Sequence, residues 1–272
     1  MDNSLRIGHP TSSQASRLIG FESRKMTPEE KKEFLKENPG SRKQNIEVDG
    51  FAKPGQTYIE ELVFERLMKR TIKTEVKTQA MKWGSLMEIV LFDLLGMEYV
   101  MEHKTTLIHP KYKFWRGTPD LIVPEVKIGE IKCYEPKKFM QLSICLLLKD
   151  IKKLKDDFPE EYWQCVSNAH ICGVKRAELM VYMPYKSELE EIINKIVDTN
   201  FLERHGLNDY DYYFMREENI ESLPYLPNDS EFSNVNSFDF EIPEEDMKLL
   251  ENRMIDTEAE TKKQFKQFKK AS

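Results

Sequence analysis

RGTPDLIV (116–123) and, beyond the break at Pro124, KIGEIKCYEP (127–136) decide how the rest of the chain is read. Asp120 closes a Pro-Asp turn, and Glu130 and Lys132 sit inside the extended segment that follows. Strand alternation puts Glu130 and Lys132 on one face and Ile131 on the other. Pairing of segments 112–123 and 126–134 as a hairpin brings Asp120 towards Glu130. Two carboxylates and an ammonium on one sheet face are costly to desolvate unless they bind something. A divalent cation that prefers oxygen ligands, Mg²⁺ or Mn²⁺, meets that need. An acid-x-base triplet arises by chance roughly seven times in a chain of 47 acids and 41 bases. The weight therefore rests on the flanking glycines, the Pro-Asp turn and the strand context.

Outward from this core, the pattern is that of an α/β protein. Residues 12–19 read as a short helix with Thr11 or Ser12 as cap and Gly20 as stop. Thr27-Pro28-Glu29-Glu30 is a capping box that opens a helix to about Glu37. Residues 38–56, polar with glycine and proline, read as a loop, and Thr57 with Glu60 as the start of a helix towards Arg70. Segment 80–95 reads as a helix with the stripe Ala80, Trp83, Met87, Val90, Leu91 and Leu94 turned inward. Glu88 shares a face with Gly84, Leu91 and Leu95, which places it at the edge of that buried stripe. Segments 99–108, 112–123 and 126–134 read as strands. Pro159 opens a helix stopped by Gly173; a strand over 177–185 and a helix over 186–197 follow. Residues 1–200 then form one domain with an insert at about 24–75. Residues 201–272 form an acidic, irregular region with a helix from Pro243, packed on or appended to that domain.

At 40% apolar and 11% aromatic residues, the 272-residue chain can bury a real core. No apolar run is long enough for a membrane span, and the first residues lack a secretory pattern, so a cytoplasmic location is expected. Cys133, Cys145, Cys165 and Cys172 form no CxxC pair, and read as reduced, buried thiols rather than zinc ligands. The net charge of −6 is unevenly spread: residues 208–251 hold 13 acids against Arg216 and Lys248. Arg66, Lys69, Arg70, Lys73, Lys77 and Lys82 stand against Glu75 alone in residues 66–82, a local basic stretch compatible with nucleic acid.

These blocks resemble the YqaJ-like viral recombinases, the family typified by the exonuclease of phage lambda. LRIGHPTSSQASRLIG (5–20), AMKWGSLMEIVL (80–91), GTPDLIV, GEIKC, and EYWQCVSNAHICGV (161–174) followed by AELMVYMPY keep the order of that family's motifs. The resemblance implies the PD-(D/E)XK restriction-endonuclease-like fold, a central mixed sheet flanked by helices. It implies that Asp120, Glu130 and the Ile131 carbonyl hold Mg²⁺, with Glu88 contributing through water. Lys132 would position the nucleophile, Gln164 would orient it or the phosphate, and Arg6 and Ser13 would grip a terminal 5′-phosphate. Ser13 also lies at an expected helix N-terminus, where an anion is favoured. The implied activity is 5′→3′ digestion of linear duplex DNA, leaving 3′ strands for a single-strand annealing protein, by an enzyme that forms rings of three. The alternatives are an endonuclease of the same fold and a non-catalytic DNA-binding or assembly protein. Thr118, Leu121 and Tyr134 depart from the family's serine, glycine and proline, and the insert between the first two motifs is longer.

Overall fold

The computed structural model describes residues 3–72, 78–96, 98–101, 105–197 and 199–271. After 3₁₀ turns at Asn3–Arg6 and Ser12–Gln14 come α1 (Ser16–Ile19), β1 (Phe21–Lys25), α2 (Pro28–Glu37), β2 (Asn45–Phe51), α3 (Lys53–Met68) and α4 (Gln79–Leu94). Next are β3 (Val100–Met101), β4 (Leu107–Ile108), β5 (Arg116–Gly117), β6 (Leu121–Val123), β7 (Lys127–Lys132), α5 (Pro136–Leu147), α6 (Ile151–Asp157) and α7 (Pro159–Cys172). The chain closes with β8 (Arg176–Tyr182), α8 (Lys186–Val197), α9 (Thr199–Arg204), two 3₁₀ turns, β9 (Val235–Glu241) and α10 (Glu244–Ala271).

Among the described residues the main sheet has five strands in the order β3-β6-β7-β8-β9. It is mixed: β6 runs antiparallel to β7, β8 parallel to β7, and β9 antiparallel to β8. The β6–β7 register pairs Leu121 with Gly129, and one step further it sets Asp120 opposite Glu130. Being central, β7 is covered on both faces. Ile128 enters a core with α7, α5 and α10, whereas Ile131 enters a second core with α4 and α8. Helices therefore flank the sheet on both sides, as the α/β reading requires.

The long last helix ties the N-terminal segment down. Arg253 of α10 is buried between the rings of Phe21 and Phe51. It donates to the carbonyls of Leu18 at 2.6 Å and Gly20 at 2.9 Å. Arg66 of α3 donates to the Gly8 carbonyl at 2.7 Å and pairs with Glu258 at 2.5 Å. Two cations of the chain are thus spent on carbonyls and carboxylates far away in sequence.

Local signals fare unevenly. The capping box at Thr27 forms as read, with Glu30 accepting from the Thr27 N–H. Gly173 caps α7 at φ 70°, a left-handed turn that an L side chain rarely adopts. The expected loop over 38–56 is instead largely β2, paired with β1 in an antiparallel hairpin. The helix expected from Thr57 begins a turn earlier, because Pro54 supplies a first-turn proline. The expected strands 99–108 and 112–123 each split: β4 and β5 form a separate two-stranded ladder, and the chain re-enters the main sheet after Thr118-Pro119. Residues 102–104 of the first strand, together with Lys73, Glu75 and Lys77 of the basic stretch, lie outside the described residues. On α4 the buried stripe is turned from the expected one: Leu86 and Ile89 are buried while Leu94 is 60% exposed. The region expected to be irregular between 203 and 240 contributes an edge strand, β9, whose Phe238 and Phe240 enter the core.

Candidate active site

Strand β7 and helix α7 build the site between them. Glu130 points away from the α4 core, is fully buried, and accepts hydrogen bonds at both carboxylate oxygens. Gln164 Nε2 donates to Oε2 at 2.8 Å and Lys132 Nζ lies 3.3 Å from the same oxygen. Asn168 Nδ2 donates to Oε1. Lys132 also donates to Gln164 Oε1 at 3.1 Å, so lysine, glutamine and glutamate close a ring of contacts. Across the hairpin, Asp120 Oδ2 accepts from the Ile131 N–H at 2.8 Å. The structure thus brings together Asp120, Glu130, Lys132 and Gln164.

Electrostatics follow from this crowding. Burial, and then the neighbouring Asp120, push the Glu130 pKa well above the usual carboxylate range, with Lys132 and Asn168 pulling it back. Burial disfavours the charged Lys132, but Glu130 and Asp120 outweigh it and hold the ammonium charged. Glu88, from α4, is half-buried and borders the cavity beside Lys132. Burial and Asp120 raise its pKa to about 8, against the pull of Lys132. Glu130 and Glu88, crowded around one lysine, retain protons at a pH where free carboxylates would have lost them, and a cation could take the protons' place. Among the described residues no group of three or more His, Cys, Asp or Glu side chains closes on a single point. Mg²⁺ needs no such cage, being held by one or two carboxylates with water and substrate phosphate filling its other positions. The Asp120–Glu130 pair fits that donor set.

Arg6 and Ser13 also meet, Arg6 Nη2 lying 3.3 Å from Ser13 Oγ, with Thr11 Oγ1 3.4 Å from the same hydroxyl. The helix expected over 12–19 is broken, however. Ser13 lies in a three-residue 3₁₀ turn, so the argument from a helix dipole does not hold there, and Arg6 with the two hydroxyls remains. Ser12 is buried beneath them. Its hydroxyl donates to the Arg116 carbonyl at 3.3 Å and accepts from Ser167 of α7 at 2.8 Å. Ser167 in turn accepts from the Trp115 indole at 2.8 Å. The N-terminal segment is therefore fixed to the helix that carries Gln164.

A cavity of about 1060 Å³ opens beside Glu88 and Lys132, walled by Trp83, Tyr134, Phe214 and Leu223 among others. Part of the acidic region thus forms a wall of the site, fastened by Lys82 to Asp211 at 2.7 Å. Lys82 and Arg66 are both engaged in ion pairs within the protein, so the expected basic stretch offers less free charge than its sequence suggests. Tyr134, which departs from the family pattern, donates to Glu161 at 2.6 Å beneath Lys138, whose Nζ sits 3.9 Å from the ring centre. Cys133, Cys145 and Cys165 are buried and Cys172 half-buried, all as free thiols. Sequence reasoning missed Asn168, although a polar residue four places after Gln164 on one helix face was the available signal.

A family model, the YqaJ-like viral recombinase domain, matches residues 3–175. No curated protein matches. Among solved structures, an alkaline exonuclease from Laribacter hongkongensis (LHK-Exo) superposes with a TM-score of 0.56 at 15% identity, covering 98% of this chain and 94% of that one. The same protein in complex with dAMP gives 0.56 at 15% identity, with 98% and 95% covered. A phage-related exonuclease from Haemophilus somnus 129PT gives 0.53 at 11% identity, with 97% and 96% covered. These likenesses extend over almost the whole chain and give it the PD-(D/E)XK fold, the mixed sheet flanked by helices described above. No described helix is long and apolar enough to cross a membrane. With its motifs in family order, its fold shared, and the family model spanning residues 3–175, the chain belongs to the YqaJ-like viral recombinase family.

Proposed function

We propose that the protein is a Mg²⁺-dependent exonuclease that digests linear duplex DNA 5′→3′ from phosphorylated ends. The 3′ strands it leaves would be substrates for a single-strand annealing protein. The observation that carries this reading is the buried cluster in which Lys132 and Gln164 both contact Glu130 while Asp120 faces it across the hairpin. Asp120, Glu130 and the Ile131 carbonyl would hold Mg²⁺, with Glu88 acting through water. The cation when bound would acidify water and offset charge on the phosphodiester. Lys132, held charged by its two carboxylate neighbours, orients the attacking oxygen and opposes the negative charge that builds on the phosphoryl oxygens. Gln164 keeps the Lys132 ammonium and the Glu130 carboxylate in register, since it donates to one and accepts from the other. Arg6 with Ser13 would take the terminal phosphate, and the Ser12–Ser167 bond holds that segment against α7.

The test is linear duplex DNA, end-labelled with 5′-phosphate or 5′-hydroxyl, incubated with the protein in Mg²⁺ or EDTA beside Lys132→Ala. The expected result is Mg²⁺-dependent release of 5′ nucleotides, faster from phosphorylated ends and lost in Lys132→Ala. Internal cuts in a closed circle would replace the exonuclease by an endonuclease on the same site. Absence of any metal-dependent cleavage would overturn the enzymatic reading in favour of a DNA-binding protein on this scaffold.

A further inference from the structure

Asn168 follows Gln164 by one turn of α7 and shares its face. Its side chain is fully buried. Gln164 and Lys132 hold Oε2 of Glu130, at 2.8 and 3.3 Å, whereas Oε1 is held by Asn168 Nδ2. The other end of the amide has no such employment. Asn168 Oδ1 is buried without a hydrogen-bond partner. It lies against Gly117, where a Cβ would collide with both Oδ1 and Ser12 Oγ. Once a cation has displaced the Glu130 proton, a reversed amide would set its oxygen against the carboxylate, acceptor against acceptor, so only the observed orientation, with Nδ2 on Oε1, serves that state. A buried amide that uses its nitrogen and leaves its oxygen unsatisfied is less stable than an apolar side chain of similar shape. Leucine would fill this position as well as asparagine does. What leucine lacks is the donor to Glu130.

We infer that Asn168 is a positioning residue whose Nδ2–H fixes the plane of the Glu130 carboxylate, so that a divalent cation meets Glu130 in one orientation. The inference rests on the metal-dependent reading above. Hydrogen bonds that orient a metal-binding group typically govern affinity or activity by roughly 10–100-fold. Gln164 cannot replace Asn168 here, because its amide is already shared between Lys132 and the other carboxylate oxygen.

The experiment is a calorimetric Mn²⁺ titration of the full chain without DNA, on wild type, Asn168→Leu, Asn168→Ala and Ser167→Ala, with melting temperatures and DNA cleavage recorded for each. Ser167 is the control from the same turn of α7, since its hydroxyl bonds run to Trp115 and Ser12. We expect the Mn²⁺ dissociation constant to rise roughly ten-fold or more in both Asn168 variants. Asn168→Leu should melt close to wild type, and Ser167→Ala should keep wild-type Mn²⁺ affinity despite melting lower. Asn168 variants that bind Mn²⁺ like wild type overturn the inference and leave the nuclease reading intact. Equal weakening in Ser167→Ala assigns the effect to a loosened helix and overturns it too. So does collapse of the fold in both Asn168 variants, which would make the residue structural. A wild-type protein that binds no Mn²⁺ and cuts no DNA removes the nuclease reading and this inference together.

Discussion

Helices α4 and α7 approach the same strand from opposite faces, and they furnish it differently. Helix α7 brings a polar row, Gln164, Ser167 and Asn168, whose amides and hydroxyl are engaged with Glu130, Lys132, Ser12 and Trp115. Helix α4 brings Trp83, Leu86, Met87 and Ile89 to an apolar core, with Glu88 as the carboxyl that reaches the site. On one side, then, a buried carboxylate is oriented by donors. On the other, a carboxyl is enclosed by burial beside a like charge. The first arrangement fixes direction, and the second stores a proton that is released when something positive arrives.

That contrast can be broken experimentally. Glu130→Gln should reduce cleavage by more than the roughly 10–100-fold typical of losing a partner outside the metal shell. Glu88→Gln should lose no more than roughly ten-fold in the same assay, and equal losses would erase the distinction between the two sides. A second, smaller effect concerns pH. The Glu88 pKa in the folded protein, about 8, is raised above its ordinary 4.5, so the folded state keeps a proton that the unfolded state has released. The stability this contributes without metal is complete below pH 4.5 and is lost as pH rises through about 8. In EDTA, melting temperatures at pH 5.5 and 8 should therefore fall less for Glu88→Gln than for wild type. A wild-type slope in the variant would show that the Glu88 proton is not the one involved. The smallest effect is on the α7 side: Ser167→Ala should cost about 1 kcal/mol by urea titration, the worth of an ordinary buried hydrogen bond.

The strand and its chemistry were legible because they are local. Alternation alone sets Glu130 and Lys132 on one face, and a hairpin one residue out of register would have turned Asp120 away from Glu130. What was not legible is of two kinds. In VNSFDFE (235–241) the surrounding acidic, irregular composition, and in NIEVDGF (45–51) the surrounding polar residues, glycine and proline, masked an alternation that the structure uses. Pro136, just past the expected strand 126–134, opens α5 as its first-turn proline, a helix the sequence reading did not include. The second kind is a matter of partners. Nothing near Asn168 in sequence indicates that its amide meets Glu130, and nothing near Ser12 indicates that its hydroxyl meets Ser167. Gln164, Arg6 and Ser13 came into view through the resemblance, and the structure then showed which neighbours each of them touches. The helix expected beneath Ser13 fails because Ser12 turns inward and spends its hydroxyl on β5 and α7 rather than on a cap.

The hold of Arg253 on the carbonyls of Leu18 and Gly20, with that of Glu258 on Arg66, has a consequence in time. During synthesis the segment carrying Arg6 and Ser13 gains its contacts with α3 and α7 first, whereas its clasp by Arg253 is made across a separation of 235 residues. Contacts so distant along the chain form slowly, since a long loop must close before they contribute anything. A nascent chain on the ribosome would thus hold the sheet and its carboxylates before α10 closed over the N-terminal segment. On the reading proposed above, selectivity for ends is complete only once α10 has docked.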